Sequence, residues 1–205
     1  MGRINSMTLP KPQKNVLNTI LTRHSVRSYT GRTVDAITIY TLIEAAIRAP
    51  TAMHEEPWGF LVVQDKKLLH DISEKAKVQF AEKLSLQPKH SPSHTEESFA
   101  RPEFDMFYGA GTLIIICAKQ IGEFVTADCW LAAENMMLTA SSMGLGTCVI
   151  GASVDTLNSP GVKSLLEIPQ EFTAIAPIIV GYPKGEIPES PRQVPSILAW
   201  ITDKA

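Results

Sequence analysis

Apolar positions change their period several times along the chain, and each change marks an element. In "NVLNTILTR" (15–23), Val16, Leu17, Ile20 and Leu21 recur at helical spacing, which predicts a short helix. A second helix is predicted over "AITIYTLIEAAIR" (36–48), where Ile39, Leu42, Ile43, Ala46 and Ile47 share one side. Asp35 is placed to cap it, and Pro50 stops it. "WGFLVVQD" (58–65) predicts a short strand ending in a turn, whereas the polar, amphipathic stretch 66–84 predicts a helix. "GTLIIICAK" (111–119) is apolar without a break, the pattern of a fully buried strand. Over 126–143, Trp130, Leu131, Met136, Met137, Leu138 and Met143 lie almost all round a predicted helix. Such a helix must be covered on every side, and a second copy of the chain is the expected cover. "GLGTCVIG" (144–151) predicts a glycine-bounded turn and strand, and "FTAIAPIIVGYP" (172–183) a strand ending in a glycine turn. The closing "PESPRQVPSILAWI" (188–201) is expected to be an extended tail.

Helices and strands alternate and no internal repeat is visible, which predicts an α+β fold with one central sheet flanked by helices. The polar lead 1–14, with Pro10 and Pro12, is expected to be a flexible arm ahead of a single domain over 15–205. Residues 85–104, rich in Pro, Ser and His and without a period, are expected to form a variable lid or surface excursion.

Composition narrows the function classes. The 205 residues suit one compact domain, and 44% hydrophobic with 20% charged residues describes an ordinary soluble globule. A net charge of −2 offers no general attraction to nucleic acid or anionic membrane, and no basic face with interleaved aromatics appears. Any anion site must therefore be local. Cys117, Cys129 and Cys148 sit in apolar surroundings without metal-ligand spacing, so they are expected to be buried thiols in a reducing compartment. No basic-then-apolar leader opens the chain, and no apolar run reaches the ~18 residues of a membrane span. A cytoplasmic protein without nucleic-acid or membrane partners is the expectation.

Three clusters carry candidate chemistry. "RHSVR" packs Arg23, His24, Ser25 and Arg27 into one turn, either a solvated corner or a wrap for a phosphate, since guanidinium forks and a hydroxyl suit that anion. "APTAMHEEPW" (49–58) follows a helix stop; Thr51 and Ala52 let a ligand approach the backbone, and His54 and Glu56 add polar contacts. His54 has no second histidine at ligand spacing nearby, so no metal is expected, and His90 and His94 read as solvated. "GLGTCVIG" lacks the GxGxxG spacing of a dinucleotide fold, and neither a GxSxG elbow nor a P-loop occurs.

In this order the clusters resemble the nitroreductase family of FMN-dependent oxidoreductases. The matching pieces are "RHSVRSY", "APTAMHEEPWGFLVV", "DCWLAAENMMLTASSMGLGTCVIG", and "IVGYP" followed by "PESPR", which together span most of 15–192. The resemblance implies a mostly antiparallel sheet and an intertwined homodimer with FMN at the subunit interface. It implies that Arg23, Ser25 and Arg27 hold the FMN phosphate, ribityl chain and pyrimidine edge, with a contact from His24. Arg192 would reach the phosphate, with Lys184 the weaker candidate for that role. Pro50, Thr51, Ala52, Met53 and His54 would face the ring from the partner subunit. Val149, Ile150 and Gly151 would line its other face, with the Gly151 N–H near N5. The implied reaction is ping-pong: NADH or NADPH delivers hydride and leaves, and a nitroaromatic, quinone or similar small acceptor follows, with no catalytic side chain required. His54 and Glu56 stand where the family commonly has Asn and Gln, a departure that bears on substrate range more than on FMN. Phe99, Phe104, Phe107 and Tyr108 are candidates for a substrate wall, with core packing the alternative for Phe107 and Tyr108. A non-catalytic flavin sensor or carrier is the rival function, since Glu56 and the polar cover would tend to exclude nicotinamide.

Overall fold

The computed structural model describes residues 15–85, 101, 103–119, 121–185 and 191–202. The arm 1–14, most of the 85–104 segment and Phe99 lie outside the described residues.

The predicted elements form close to their expected bounds. Helix α1 spans Val16–Thr22 and α2 spans Ala36–Ala46. Each is started by a side-chain cap: Asn18 N donates to Asn15 Oδ1 at 2.8 Å, and Thr38 N to Asp35 Oδ1 at 2.9 Å. Strand β1 is Trp58–Val63, α3 is Lys66–Ser85, β2 is Thr112–Lys119 and α4 is Val125–Ser142. Strands β3 (Gly146–Val149) and β4 (Phe172–Gly181) complete a sheet of order β1-β2-β4-β3 in which every pairing is antiparallel. Between β3 and β4 the chain makes a 3-10 turn and two short helices, α5 (Val154–Leu157) and α6 (Pro160–Leu165), in a stretch for which the hydrophobic pattern predicts no element.

Both faces of the sheet are buried, which explains the unbroken apolar run of β2. Leu113, Ile115 and Cys117 face a core built with α3, Met106, Phe107 and the α5–α6 region. Ile114, Ile116 and Ala118 face a second core built with α2 and α4. A bulge opposite Ile116 and Cys117 swaps the parity of β4, so Ala174 and Ile179 both face the first core. Asn158 braces that bulge: its Oδ1 accepts from Ala174 N at 2.8 Å and its Nδ2 donates to Ala174 O at 2.9 Å.

One expectation changes, and one open alternative is decided. Helix α4 is covered largely by its own chain, because Cys129, Ala132, Ala133, Met136 and Ala140 are buried against α2 and the sheet. Only outward residues such as Trp130 and Leu131 stay exposed, so an apolar pattern all round a helix does not by itself demand a second chain. Phe107 is 1% exposed and belongs to the core; Phe104 and Tyr108 pack against that core and meet each other edge to face, ring centroids 5.4 Å apart. The three cysteines are free and buried.

Candidate functional site

The arginine turn is positioned by an extra edge on the sheet. After α1, Arg23 leaves the helix in an extended conformation. Ser25 then pairs in parallel with Thr147 of β3, and Val26 N donates to Thr147 O at 2.9 Å. Further on, Tyr29 pairs with Pro183, Thr30 N donates to Tyr182 O and Lys184 N to Ser28 O, both at 3.0 Å. The close approach needs glycine at the strand. A side chain at Gly146 would lie 2.8–2.9 Å from the Val26 side chain, and one at Gly181 would lie 3.0 Å from the Tyr29 ring.

The turn that carries Arg23, Ser25 and Arg27 runs alongside β3. Burial pushes the Cys148 thiol up, while Arg27, a hydrogen bond from Ser25 and then Arg23 pull it the other way. Ser25 lies within hydrogen-bond reach of Cys148, and both arginines are near enough for their charge to be felt there. Arg27 also lies near the buried Tyr29 and the half-buried Tyr108, whose hydroxyls burial pushes up. Arg23 Nε is 3.6 Å from Glu134 Oε1 on α4. His24 behaves differently: with Val26, Arg23, Thr147 and Pro183 it lines a cavity of about 120 Å³ that Ser25 and Arg27 do not line. Its Nδ1 lies 2.9 Å from Thr22 O, an acceptor, so Nδ1 carries the proton. Nε2 is buried and meets no partner among the described residues.

At the end of β3, Val149 is partly buried, Ile150 is 5% exposed, and Ile150 N donates to Pro177 O at 2.9 Å. Gly151 opens the 3-10 turn at an exposed position, and a side chain there would meet no atom within 4 Å. The chain thus leaves open space beside that backbone. Lys184 is exposed and follows the Tyr29 pairing, close in the chain path to Ser28. Arg192 lies on the exposed tail 191–202.

Pro50–His54 form a separate group. Ala52–His54 is a 3-10 turn, with Met53 at φ 54°, His54 at φ 57° and Glu56 at φ 44°. That is the left-handed region, which costs a residue with a side chain of order 1 kcal/mol each. Met53 is 86% exposed, and His54 and Glu56 are exposed as well. The turn is held from α4, where the buried Asp128 accepts from Ala52 N at 3.2 and 3.3 Å. Asp128 and Glu134 are six residues apart on that helix, about 9 Å along its axis and on different faces. Within one chain, then, the arginine turn joins the end of β3 and the 50–54 turn docks elsewhere. Sequence reasoning missed both acids. Their signal is a lone charge in the apolar run "VTADCWLAAENMM", which does not reveal its partner.

Among the described residues, no group of His, Cys, Asp or Glu could hold a metal ion, and no helix is long and apolar enough to cross a membrane. The family model for the Nitroreductase family matches residues 20–182. A protein of Methanothermobacter thermautotrophicus, provisionally named NADH dehydrogenase/NAD(P)H nitroreductase, is 30% identical over 82% of this chain and 78% of its own. The FMN reductase (NADPH) of Bacillus subtilis is 27% identical over 87% of this chain and 71% of its own. The crystal structure of a nitroreductase with bound FMN from Bacteroides fragilis superposes with a TM-score of 0.76 at 28% identity, covering 93% of this chain and all of that one. With the antiparallel sheet, the arginine turn docked on β3 and the family model spanning both, the chain belongs to the nitroreductase family.

Proposed function

We propose that this chain is an FMN-dependent oxidoreductase that takes hydride from NADH or NADPH and passes it to a small electron-poor acceptor, such as a nitroaromatic or a quinone. The observation that supports the reading is the docking of the turn that carries Arg23, Ser25 and Arg27 on β3, the strand that runs on to the uncrowded backbone of Gly151. Two guanidinium groups and a hydroxyl suit a phosphate monoester, and an uncrowded N–H at the head of a turn suits the polar edge of a flat ring. These residues fit FMN. When bound, FMN supplies the hydride and electron-transfer chemistry.

The chain's own residues bind and orient. Arg23 and Ser25 hold the phosphate and ribityl chain, and Arg27 sets positive charge at the pyrimidine edge. Val149 and Ile150 support one ring face, and the Gly151 N–H donates at the edge. Arg192 and Lys184 are proposed to add charge at the phosphate, and His24 contacts the group through its backbone. No side chain is required to move a proton. Nicotinamide and acceptor occupy the same slot in turn, which makes the kinetics ping-pong.

A homodimer completes the site in this reading. The 50–54 turn docks away from the arginine turn in its own subunit, so a second copy is the natural source of the opposite ring contact. Exposed apolar residues supply a surface for it: Val16, Leu17 and Leu21 on α1, and Leu198, Trp200 and Ile201 on the tail, the last three 81–95% exposed. Apolar surface of that extent is a usual mark of an interface. The test is to load the protein with FMN and mix it anaerobically with NADH or NADPH. The reading expects the visible flavin absorbance to bleach and to return when a quinone or nitroaromatic is added. Flavin that stays oxidised with both nicotinamides would leave a binding protein without turnover.

A further inference from the structure

Asp128 is a buried carboxylate to which the proposed reaction gives no task. It is 3% exposed, in the first turn of α4, and among the described residues its only hydrogen bond comes from Ala52 N, which reaches both oxygens. A charge out of water with a single N–H partner is costly. The helix N-terminus offsets part of that cost, since the first-turn N–H groups favour an anion. An Ala or Leu would fill the position without the penalty. What the carboxylate does hold is the start of the most strained segment of the described chain, where Met53, His54 and Glu56 are all left-handed.

Nothing else grips that segment as directly. Glu55 N donates to Ala52 O at 3.1 Å within the turn, and Lys119 N to Pro57 O at 3.1 Å at its far end. Glu55 also packs on Gly122, where a side chain would come within 2.5 Å of its carboxylate. Met53 and His54, between these points, are exposed and have no described hydrogen bond of their own. Left-handed, non-glycine residues persist only where surrounding structure over-determines them.

We infer that Asp128 is a positioning residue: by holding the Ala52 N–H it presets the 51–56 turn in the conformation that meets the flavin ring. This rests on the proposed flavin reading. The ring contact is then ready before FMN arrives, and the cost of ordering the turn is met in folding rather than in binding.

The test compares Asp128→Ala with Asp128→Asn in the full chain. Asn keeps an oxygen facing Ala52 and removes the charge, which guards against a variant that merely fails to fold. Amide exchange at Ala52 is measured against β2 amides of the same sample, and FMN affinity is measured by fluorescence quenching. The inference expects Ala52 to exchange at least about tenfold faster relative to β2 in Asp128→Ala, with FMN affinity falling by a similar factor. Asp128→Asn should retain both to within about threefold. Unchanged relative exchange in Asp128→Ala overturns it, as does an Asn variant as impaired as Ala, or a loss of affinity without faster exchange. If the wild-type chain binds no FMN, the flavin reading fails and the ring contact with it, whereas the exchange comparison still decides whether Asp128 anchors the turn.

Discussion

Gly146→Ala is the sharpest perturbation of the docked arginine turn, because glycine is needed there for space alone. Gly146 is buried on β3, its φ is not among the positive values, and the new methyl would lie 2.8–2.9 Å from Cβ, Cγ1 and Cγ2 of Val26. Val26 cannot swing away easily: it is 5% exposed and β-branched, with one favoured side-chain rotamer. The strand and the turn must therefore part by several tenths of an ångström, stretching the 2.9 Å Val26 N to Thr147 O bond. Overpacking of this kind costs about 1–3 kcal/mol, against about 0.4–1 kcal/mol gained by restricting the unfolded chain. The net effect on unfolding is a loss of up to about 2.5 kcal/mol. If the strain falls on the turn itself, FMN affinity drops by about 5- to 150-fold. Urea unfolding and FMN fluorescence titration read the two quantities on the same sample. Val26→Ala removes two of the three clashing atoms, so the Gly146→Ala penalty should shrink in that background. A Gly146→Ala protein with wild-type stability and FMN affinity would refute the claim that this contact positions the turn, as would a penalty indifferent to Val26.

Other consequences concern the core, the caps and the thiols. Phe107→Ala should cost about 3–5 kcal/mol in urea unfolding, since the ring is fully buried against Ile115 and its neighbours rather than lining a substrate wall. Asp35 caps α2 through Thr38, which holds its carboxyl below the usual 3.8. Its contribution is therefore present above the unfolded pKa and lost as pH falls through the lower folded value. Asp35→Ala should cost about 1 kcal/mol near neutrality and progressively less as pH falls below the usual 3.8, as followed by thermal unfolding across pH. Burial pushes Cys117 up to about 11 and Cys129 up to about 12, so a disulfide reagent at pH 8 should leave native thiols untouched. It should titrate all three on unfolding; rapid reaction of the native protein would show that those cores open.

Most of the fold is legible in the periods of apolar residues, because each of α2, α3, α4 and β1–β4 buries a face at the spacing its geometry demands, whereas α1 has the period but leaves Val16, Leu17, Ile20 and Leu21 exposed. The α5–α6 region is not. "GASVDTLNSPGVKSLL" mixes caps, a proline and small residues into helices of four and six residues, too short to set up a period. The cover of α4 was not legible either, since a pattern shows that a face must be buried and not by which chain. In the site, the density of donors in "RHSVR" marks a candidate anion grip, and what the structure adds is the docking of that turn on β3. The opposite facing of His24, and the roles of Glu134 and Asp128, come from contacts distant in sequence. Such contacts leave no local mark.

The phosphate grip at the arginine turn is tested most directly by comparing FMN with riboflavin, which lacks only the phosphate. Charge-assisted contacts contribute about 1.5–3 kcal/mol each, so the wild-type chain should prefer FMN by at least about 100-fold. Arg23→Ala combined with Arg192→Ala, which removes the two guanidinium groups proposed at the phosphate, should bring the two affinities to within about tenfold of each other while the protein stays folded. Equal binding of the two flavins by the wild-type chain, or a preference for FMN that survives the loss of both arginines, would contradict the account.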